Sequence, residues 1–186
     1  MRSMFTIHAG EYLVGLHIQQ KFPDFNVWVP AKDSGIDLLV TNRKNLRTVS
    51  LQVKYGKDFL PGKSARVQKK LRCLSWFKLN TVKLDESPAQ LWVFVLHSFK
   101  KDGPDFVVMP KGELRRRMTQ IHGTRNGAIQ SYLCSTESNL CWEVRIPRHK
   151  YVLGQIAEGV YDESSRDFTK YLNDEGWKAL KKKLAP

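Results

Sequence analysis

Polar side chains interrupt two short apolar stretches near the start of the chain. Asp37 lies within residues 35–40 (GIDLLV), and Gln52 and Lys54 lie within residues 50–54 (SLQVK). Carboxylate and carbonyl oxygens are the donors that Mg²⁺ prefers, and such a cation polarises a phosphodiester and activates a water molecule. A lysine beside it can orient that water or stabilise the charge that develops on the phosphate. These residue types therefore indicate metal-assisted hydrolysis of a phosphodiester.

Glu11 is a further candidate because it interrupts an apolar stripe. The sequence predicts a helix from Thr6 to Lys21. Ile7, Val14 and Ile18 fall on one face of this helix, and Glu11 falls among them. A carboxylate inside such a stripe is unfavourable unless something pairs with it. Glu11 either lies at the edge of the stripe or reaches the cation directly or through water.

Alternating apolar residues predict the strands that would position these groups. The first three predicted strands are Asn26–Val29, Ile36–Thr41 and Thr48–Tyr55. Successive side chains alternate between the faces of a strand, so Gln52 and Lys54 share one face. The tight turn between the second and third strands predicts an antiparallel pair that brings Asp37 near them. The alternative is that Asp37 caps a turn and that the other two face solvent.

The rest of the chain predicts a mixed sheet flanked by helices, an α/β (α+β) fold. The predicted elements are a helix at Ala65–Phe77, strands at Gln90–His97 and Asp105–Met109, a helix from Pro110 to Gly123, a strand at Leu140–Ile146 and a helical tail from Ser165. The order is α-β-β-β-α-β-β-α-β-α. We expect a core over residues 1–150 and a C-terminal helical extension over residues 151–186, packed on the same domain.

Asp37, followed after a short turn by Gln52-Val53-Lys54 and preceded by a helix that carries Glu11, resembles the PD-(D/E)XK nuclease superfamily. The resemblance covers about the first third of the chain, and the predicted α-β that follows is compatible with it. It implies a restriction-endonuclease-like αβββαβ core. Two positions depart from the common pattern. Asp37 follows Ile36 rather than proline, and Gln52 replaces the commoner acid, a variant found in some homing and restriction-type members.

The resemblance implies a role for each residue of the motif. Glu11, Asp37, Gln52 and Lys54 would be the catalytic residues, with Lys54 as the catalytic lysine. Asp37, Gln52, Glu11 and the main-chain carbonyl of Val53 would hold Mg²⁺, or Mn²⁺ in its place. Because Gln52 offers only a neutral amide oxygen, we expect weaker metal binding than with an acid there. The implied activity is that of a DNA endonuclease, and members of this fold often act as homodimers.

The charge of the chain favours a polyanionic partner. It carries 31 Lys and Arg against 18 Asp and Glu, a net charge of +13. DNA, duplex or branched, is the leading candidate, although an anionic membrane surface or a ribosome fits the charge as well. The basic residues that we expect to contact phosphates are Lys57, Lys63, Arg66, Lys69, Lys70, Arg115, Arg116 and Arg117. For each cluster the alternative is an exposed helix face.

Several other classes of site and location find no support in the sequence. Three cysteines form no even framework, so we expect no disulfide. A zinc site of Cys134, Cys141, His122 and His149 would have an unfamiliar spacing. No nucleotide-binding glycine motif appears, no apolar run is long enough to span a membrane, and no signal peptide is apparent. We therefore expect a cytoplasmic protein without a nucleotide cofactor.

Two alternatives to a nuclease remain open. A protein with the same fold could bind nucleic acid without cleaving it, or a basic structural protein could use its sheet as an interaction surface. Large aromatic residues do not separate these functions, because we expect Trp76, Phe77, Trp92 and Trp142 to pack in the core rather than stack on bases.

Overall fold

The computed structural model describes residues 8–32, 34–60, 65–98, 103–123, 127–144 and 149–185. The helices are α1 (Ala9–Lys21), α2 (Ala65–Lys70), α3 (Thr81–Glu86), α4 (Lys111–His122), α5 (His149–Glu158) and α6 (Asn173–Leu184). The strands are β1 (Phe25–Trp28), β2 (Leu38–Asn42), β3 (Thr48–Lys57), β4 (Leu71–Asn80), β5 (Leu91–His97), β6 (Asp105–Pro110), β7 (Ala128–Thr136) and β8 (Cys141–Glu143). Short 3₁₀ turns cover Ser164–Arg166 and Thr169–Tyr171.

The strands form two sheets. The larger is five-stranded in the order β1-β2-β3-β5-β6, and the smaller is three-stranded in the order β4-β7-β8. In the larger sheet β3 and β5 run parallel, whereas the other neighbours are antiparallel. The predicted mixed α/β architecture with flanking helices is therefore confirmed.

The larger sheet is covered on both faces. On one face α1 and α6 pack against β2, β3, β5 and β6, with Val14, Ile18 and Trp177 fully buried in the shared core. On the other face Trp92 and Phe94 of β5 pack against Phe77 and other residues of the smaller sheet. α5 covers the outer side of the smaller sheet. This layering fixes β3 at the centre of the molecule, between helices and a second sheet.

Gly10 sets the position of α1 on β3. A Cβ atom at Gly10 would lie 2.9 Å from the Cβ of Tyr55 and 3.3 Å from Cγ1 of Val53, closer than ordinary packing permits. The absence of a side chain therefore lets the first turn of α1 rest directly on β3. The residue after this contact is Glu11.

Gly56 allows the end of β3 to approach β4. A Cβ atom there would lie 2.8 Å from the Cβ of Ser75 and 2.9 Å from the ring of Phe77. Beyond it, Asp58 forms an isolated antiparallel bridge with Ser75. The end of β3 stays paired with β5 in the larger sheet, and Asp58, just after it, links this sheet to the smaller one.

The predicted helix over Ala65–Phe77 is wrong beyond its first turns. α2 ends at Lys70, and β4 then continues to Asn80. Leu71 and Leu74, which suggested a helical period, are buried because a register shift separates the start of β4 from its regular part. β7 and α3 were not expected from the sequence, whereas α5 begins before the helical tail predicted from Ser165 but lies largely within the helical extension predicted over residues 151–186. The predicted division between residues 150 and 151 falls within α5, and α6 packs into the core of the larger sheet.

The three cysteines, Cys73, Cys134 and Cys141, are all buried and free. Burial raises the pKa of the Cys73 thiol to about 12 and raises that of Cys141 well above its ordinary value.

Among the described residues no helix is long and apolar enough to cross a bilayer.

Candidate functional site

A cleft of about 400 Å³ brings the predicted motif residues together. Its walls include Glu11 from α1, Asp37 from the segment before β2, and Gln52, Val53 and Lys54 from β3. The cleft forms where β2 begins one residue after Asp37 while β3 continues past it, so the two strands no longer pair there. Polar residues that are separated in the sequence therefore lie together in a single concave site.

Asp37 takes the place of a strand partner for β3. Its backbone N–H donates to the carbonyl of Leu51 at 2.9 Å, and its Oδ2 accepts the backbone N–H of Val53 at 2.7 Å. The N–H and C=O of one residue point to the same side of a strand. The Val53 carbonyl is consequently directed to the side on which Asp37 lies, as its predicted role as an oxygen ligand requires.

Gln52 contacts Asp37 directly. Its Nε2 donates a hydrogen bond to Oδ2 of Asp37. The assignment of the amide oxygen and nitrogen follows from this contact, because a carboxylate accepts and does not donate. A rotation of the amide would turn its oxygen toward Asp37, an arrangement that is favourable only with a cation between the two.

Glu11 is buried with 6% of its surface exposed, although it lies on a helix surface that faces the cleft. One of its oxygens accepts the backbone N–H of His8 at 3.1 Å, at the N-terminus of α1. This bond and the favourable field at a helix N-terminus account for part of the stabilisation of the buried charge. The expected position of Glu11 beside Val14 and Ile18 is confirmed, and capping is an additional role that its sequence position allows.

Lys54 extends along the face of β3 that carries Gln52. Its Nζ lies 5.5 Å from the centre of the Trp92 ring, on the neighbouring strand β5. No ion pair joins Lys54 to a carboxylate of the described chain. An ammonium group held by an aromatic face rather than neutralised by an acid keeps its charge available to a phosphate.

Two cleft residues with polar side chains were not expected from the sequence. Tyr55 forms part of the wall, and its hydroxyl lies 2.7 Å from Nδ1 of His97 on β5. Burial raises the pKa of Tyr55. His8 also lines the cleft. Its spacing from Glu11, that of a helix N-cap and the third helical residue, was the signal that could have identified it.

The donors in the cleft fit a hard cation. They are the carboxylates of Asp37 and Glu11, the amide oxygen of Gln52 after rotation and the Val53 carbonyl, all of them oxygens. Over the residues that the structure describes, no group of three or more His, Cys, Asp and Glu residues is placed to hold a metal ion. A metal ion in this cleft would therefore need the Gln52 amide and the Val53 carbonyl in addition to the two carboxylates.

Among the predicted phosphate-binding residues, those that follow β3 are exposed. Lys57 lies at the end of β3, and Lys69 and Lys70 lie at the end of α2, all with exposed side chains. Lys63 lies outside the described residues. The backbone of Arg66 is part of α2, while its side chain is not described.

The three arginines of α4 differ from one another. Arg115 pairs with Asp85 at 2.7 Å, and the exposed Arg116 pairs with Glu113 at 2.6 Å. Arg117 is only 9% exposed and donates to the backbone carbonyls of Ser164 and Ser165 at 3.0 and 2.9 Å. It connects α4 to the 3₁₀ turn at Ser164–Arg166, so this arginine, predicted to contact a phosphate, has no free face for one.

The chain matches no family model, no curated protein and no solved structure.

Proposed function

We propose that this protein is a Mg²⁺-dependent DNA endonuclease with a restriction-endonuclease-like core. The observation that supports the proposal is the single cleft lined by Glu11, Asp37, Gln52, Val53 and Lys54. Glu11 comes from α1, Asp37 from the segment just before β2, and the other three residues from β3. This is the arrangement that the resemblance to PD-(D/E)XK nucleases implies. Packing alone would favour an apolar residue at the buried position of Glu11.

The chain supplies most of the chemistry through positioning. Asp37, held by the Val53 N–H, and Glu11, held by the His8 N–H, are the carboxylates of the site. Mg²⁺ bound there would activate a water molecule and stabilise the developing charge on the phosphate. Lys54 carries its positive charge into the same cleft, where it orients the water or stabilises the pentacoordinate phosphate. The role of Gln52 is to provide a neutral oxygen donor after its amide rotates.

DNA is the proposed substrate because of the basic residues that follow the cleft in sequence. Lys57, Lys69 and Lys70 follow the site in sequence and are exposed, within a chain of net charge +13. Phosphate contacts of this kind supply affinity without sequence specificity. A second copy of the chain would allow both strands of a duplex to be cut. The cytoplasm is the compartment in which we propose that it acts.

A plasmid-nicking assay tests the proposal. Purified protein should convert supercoiled plasmid to nicked circles with Mg²⁺ and not with EDTA. Asp37→Asn and Lys54→Met should each reduce the rate by about 10²-fold or more, since each removes a charge that acts on the transition state. The matched controls are Asp24→Asn and Lys83→Met, at exposed positions outside the cleft. Cutting by Asp37→Asn at the parental rate would refute the assignment.

A second candidate is a DNA-binding protein of the same fold that does not cleave. The hydrogen bond from Gln52 to Asp37 favours it, because this bond satisfies the carboxylate without a cation. Under this alternative the parent protein binds duplex DNA with a strong dependence on salt but never nicks plasmid with Mg²⁺ or Mn²⁺.

A further inference from the structure

We propose that a second cleft beside the candidate active site binds an unpaired segment of DNA, with its bases against Phe59 and Trp76. The proposal rests on the proposed function for the identity of the nucleic acid as DNA. It specifies the substrate class: DNA in which a single strand leaves the duplex next to the scissile phosphate, as in a flap or a branched junction.

The second cleft adjoins the first, because the two share lining residues. It has a volume of about 340 Å³ and lies between the end of β3 and the outer edge of β4. Lys54 and Tyr55 line both clefts. A strand whose phosphate lies beside Lys54 therefore has the second cleft as its neighbouring space.

Two aromatic side chains are exposed at this cleft. Phe59 is 54% exposed and Trp76 is 38% exposed. The expectation that Trp76 packs in the core is wrong, because Phe77 takes the inward position on β4 and alternation turns Trp76 outward. Packing within the protein does not require two large exposed rings here. Rings of this kind are the surfaces on which unpaired bases stack.

Positive charges accompany the rings. Lys57 and Lys78 line the cleft together with Lys54, and Lys78 shares the outward face of β4 with Trp76. Within the described ranges these three lysines form no ion pair with a carboxylate. Their charge is available to backbone phosphates.

The acid next to this group is already satisfied within the fold. Asp58 accepts the N–H groups of Leu60 and Leu74 at 2.9 and 3.1 Å and the hydroxyl of Ser98 at 3.2 Å. Its carboxylate joins β3 to β4 rather than opposing the lysines. Aromatic faces between lysines match the alternation of bases and phosphates in a single strand, whereas a paired duplex hides its base faces.

Fluorescence anisotropy with a labelled oligothymidylate and a blunt hairpin duplex, both without divalent metal, tests the proposal. The double variant Phe59→Ala/Trp76→Ala should lose roughly 5- to 150-fold in affinity for the single strand for each base that stacks. The ratio of single-strand to duplex affinity should fall accordingly. Phe59→Tyr and Trp76→Phe keep an aromatic face and should retain binding. The control is Tyr151→Ala on α5, which is 70% exposed and lines neither cleft.

The salt dependence separates stacking from charge. The slope of log K against log salt should stay unchanged in the aromatic double variant. In Lys57→Ala and Lys78→Ala it should fall by about 0.7 for each phosphate that the variant no longer neutralises. Unchanged single-strand affinity in the folded double variant would overturn the proposal, and tighter binding of single-stranded RNA would overturn the assignment to DNA. The measurement needs no cleavage, so failure of the nuclease assay and failure of this proposal are distinguishable.

Discussion

The hydrogen bond between the side chains of Gln52 and Asp37 must change if the site binds a cation. Without a cation the amide donates to the carboxylate, and the two half-buried groups satisfy each other. With a cation the amide must present its oxygen instead. Metal binding therefore breaks one hydrogen bond, which is a physical reason to expect weaker affinity than a site with a third carboxylate.

Gln52→Glu should make the folded protein dependent on metal. Without metal, the new carboxylate faces Asp37 in place of a hydrogen-bond donor, and we expect a loss of about 1–3 kcal/mol in the free energy of unfolding. Mg²⁺ should restore stability through preferential binding to the folded state. Thermal unfolding with and without Mg²⁺ measures both effects.

Gln120→Glu is the matched control, because Gln120 is exposed on α4, outside the cleft, and accepts a hydrogen bond from Arg116. It should change neither the unfolding temperature nor its response to Mg²⁺. If Gln52→Glu and the parent have equal unfolding temperatures both with and without Mg²⁺, the side chains at positions 37 and 52 do not interact as the structure indicates.

The packing of α1 on β3 determines whether Glu11 reaches the cleft. Gly10 allows the close approach, and the next residue is the buried carboxylate. Any side chain at position 10 must push the first turn of α1 away from Tyr55 and Val53. This element contact, rather than the motif itself, completes the site.

Gly10→Ala should destabilise the protein by about 1–3 kcal/mol, since overpacking of a close contact forces backbone shifts. It should also weaken metal binding, because Glu11 moves with the helix. Denaturant unfolding and Mn²⁺ titration measure the two effects. Gly154→Ala is the control: Gly154 lies within α5, a Cβ atom there meets nothing within 4 Å, and the change should stabilise by up to about 1 kcal/mol. A stable Gly10→Ala variant would contradict the described packing.

Glu113 joins α4 to the 3₁₀ turn at Thr169–Tyr171. The hydrogen bond from Arg116 lowers the pKa of Glu113 to about 2, and a hydrogen bond from the Tyr171 hydroxyl acts in the same direction. A folded-state pKa below the unfolded value means that the charged form is stabilised by folding. This contribution is complete above the unfolded pKa and is lost as the pH falls toward 2.

Glu113→Gln should therefore be less stable than the parent near pH 7, and the difference should shrink as the pH falls below about 4.5. Unfolding free energies measured in urea between pH 7 and pH 3 test this. Glu175→Gln is a control, because Glu175 pairs with Lys178 on an exposed face of α6 and such pairs contribute little. A difference that stays constant with pH would contradict the described network.

The sequence predicted the β2–β3 hairpin and its polar residues because alternation and a tight turn both appear there. It did not predict β7, whose inward face carries Ser131 and Ser135 in alternation with Ile129 and Leu133, all buried. Polar residues on the core face hide the apolar period on which prediction depends. The prediction of a helix beyond α2 was wrong for a related reason. The shift in strand register at the start of β4 gives the buried residues Leu71 and Leu74 a helix-like spacing.

The position of Gly10 and the exposure of Trp76 could not be predicted at all. Both depend on which elements pack against β3, a property of the tertiary fold. The faces on which the four motif residues lie could be predicted from the periodicity of each strand and helix, whereas the approach of Glu11 to the other three depends on the packing of α1 on β3.

On the proposed function, the net charge of +13 should make the affinity of the whole molecule for DNA depend on salt concentration. If Lys69 and Lys70 contact phosphates, Lys69→Ala/Lys70→Ala should lower the slope of log K against log salt on duplex DNA by about 0.9 for each phosphate left without its lysine. Lys178→Ala, which removes an exposed lysine already paired with Glu175, should leave the slope unchanged. Equal slopes in all three proteins would place the DNA-binding surface elsewhere.

A crystal of the parent protein soaked in Mn²⁺ tests directly whether the cleft holds a metal ion, because Mn²⁺ accepts the same oxygen donors as Mg²⁺ and scatters anomalously. We predict an anomalous peak in the cleft, in direct contact with a carboxylate oxygen of Asp37 and the main-chain carbonyl of Val53, with the Gln52 amide rotated away from its hydrogen bond to Asp37. A cleft without a peak at saturating Mn²⁺, with that hydrogen bond intact, would contradict this prediction.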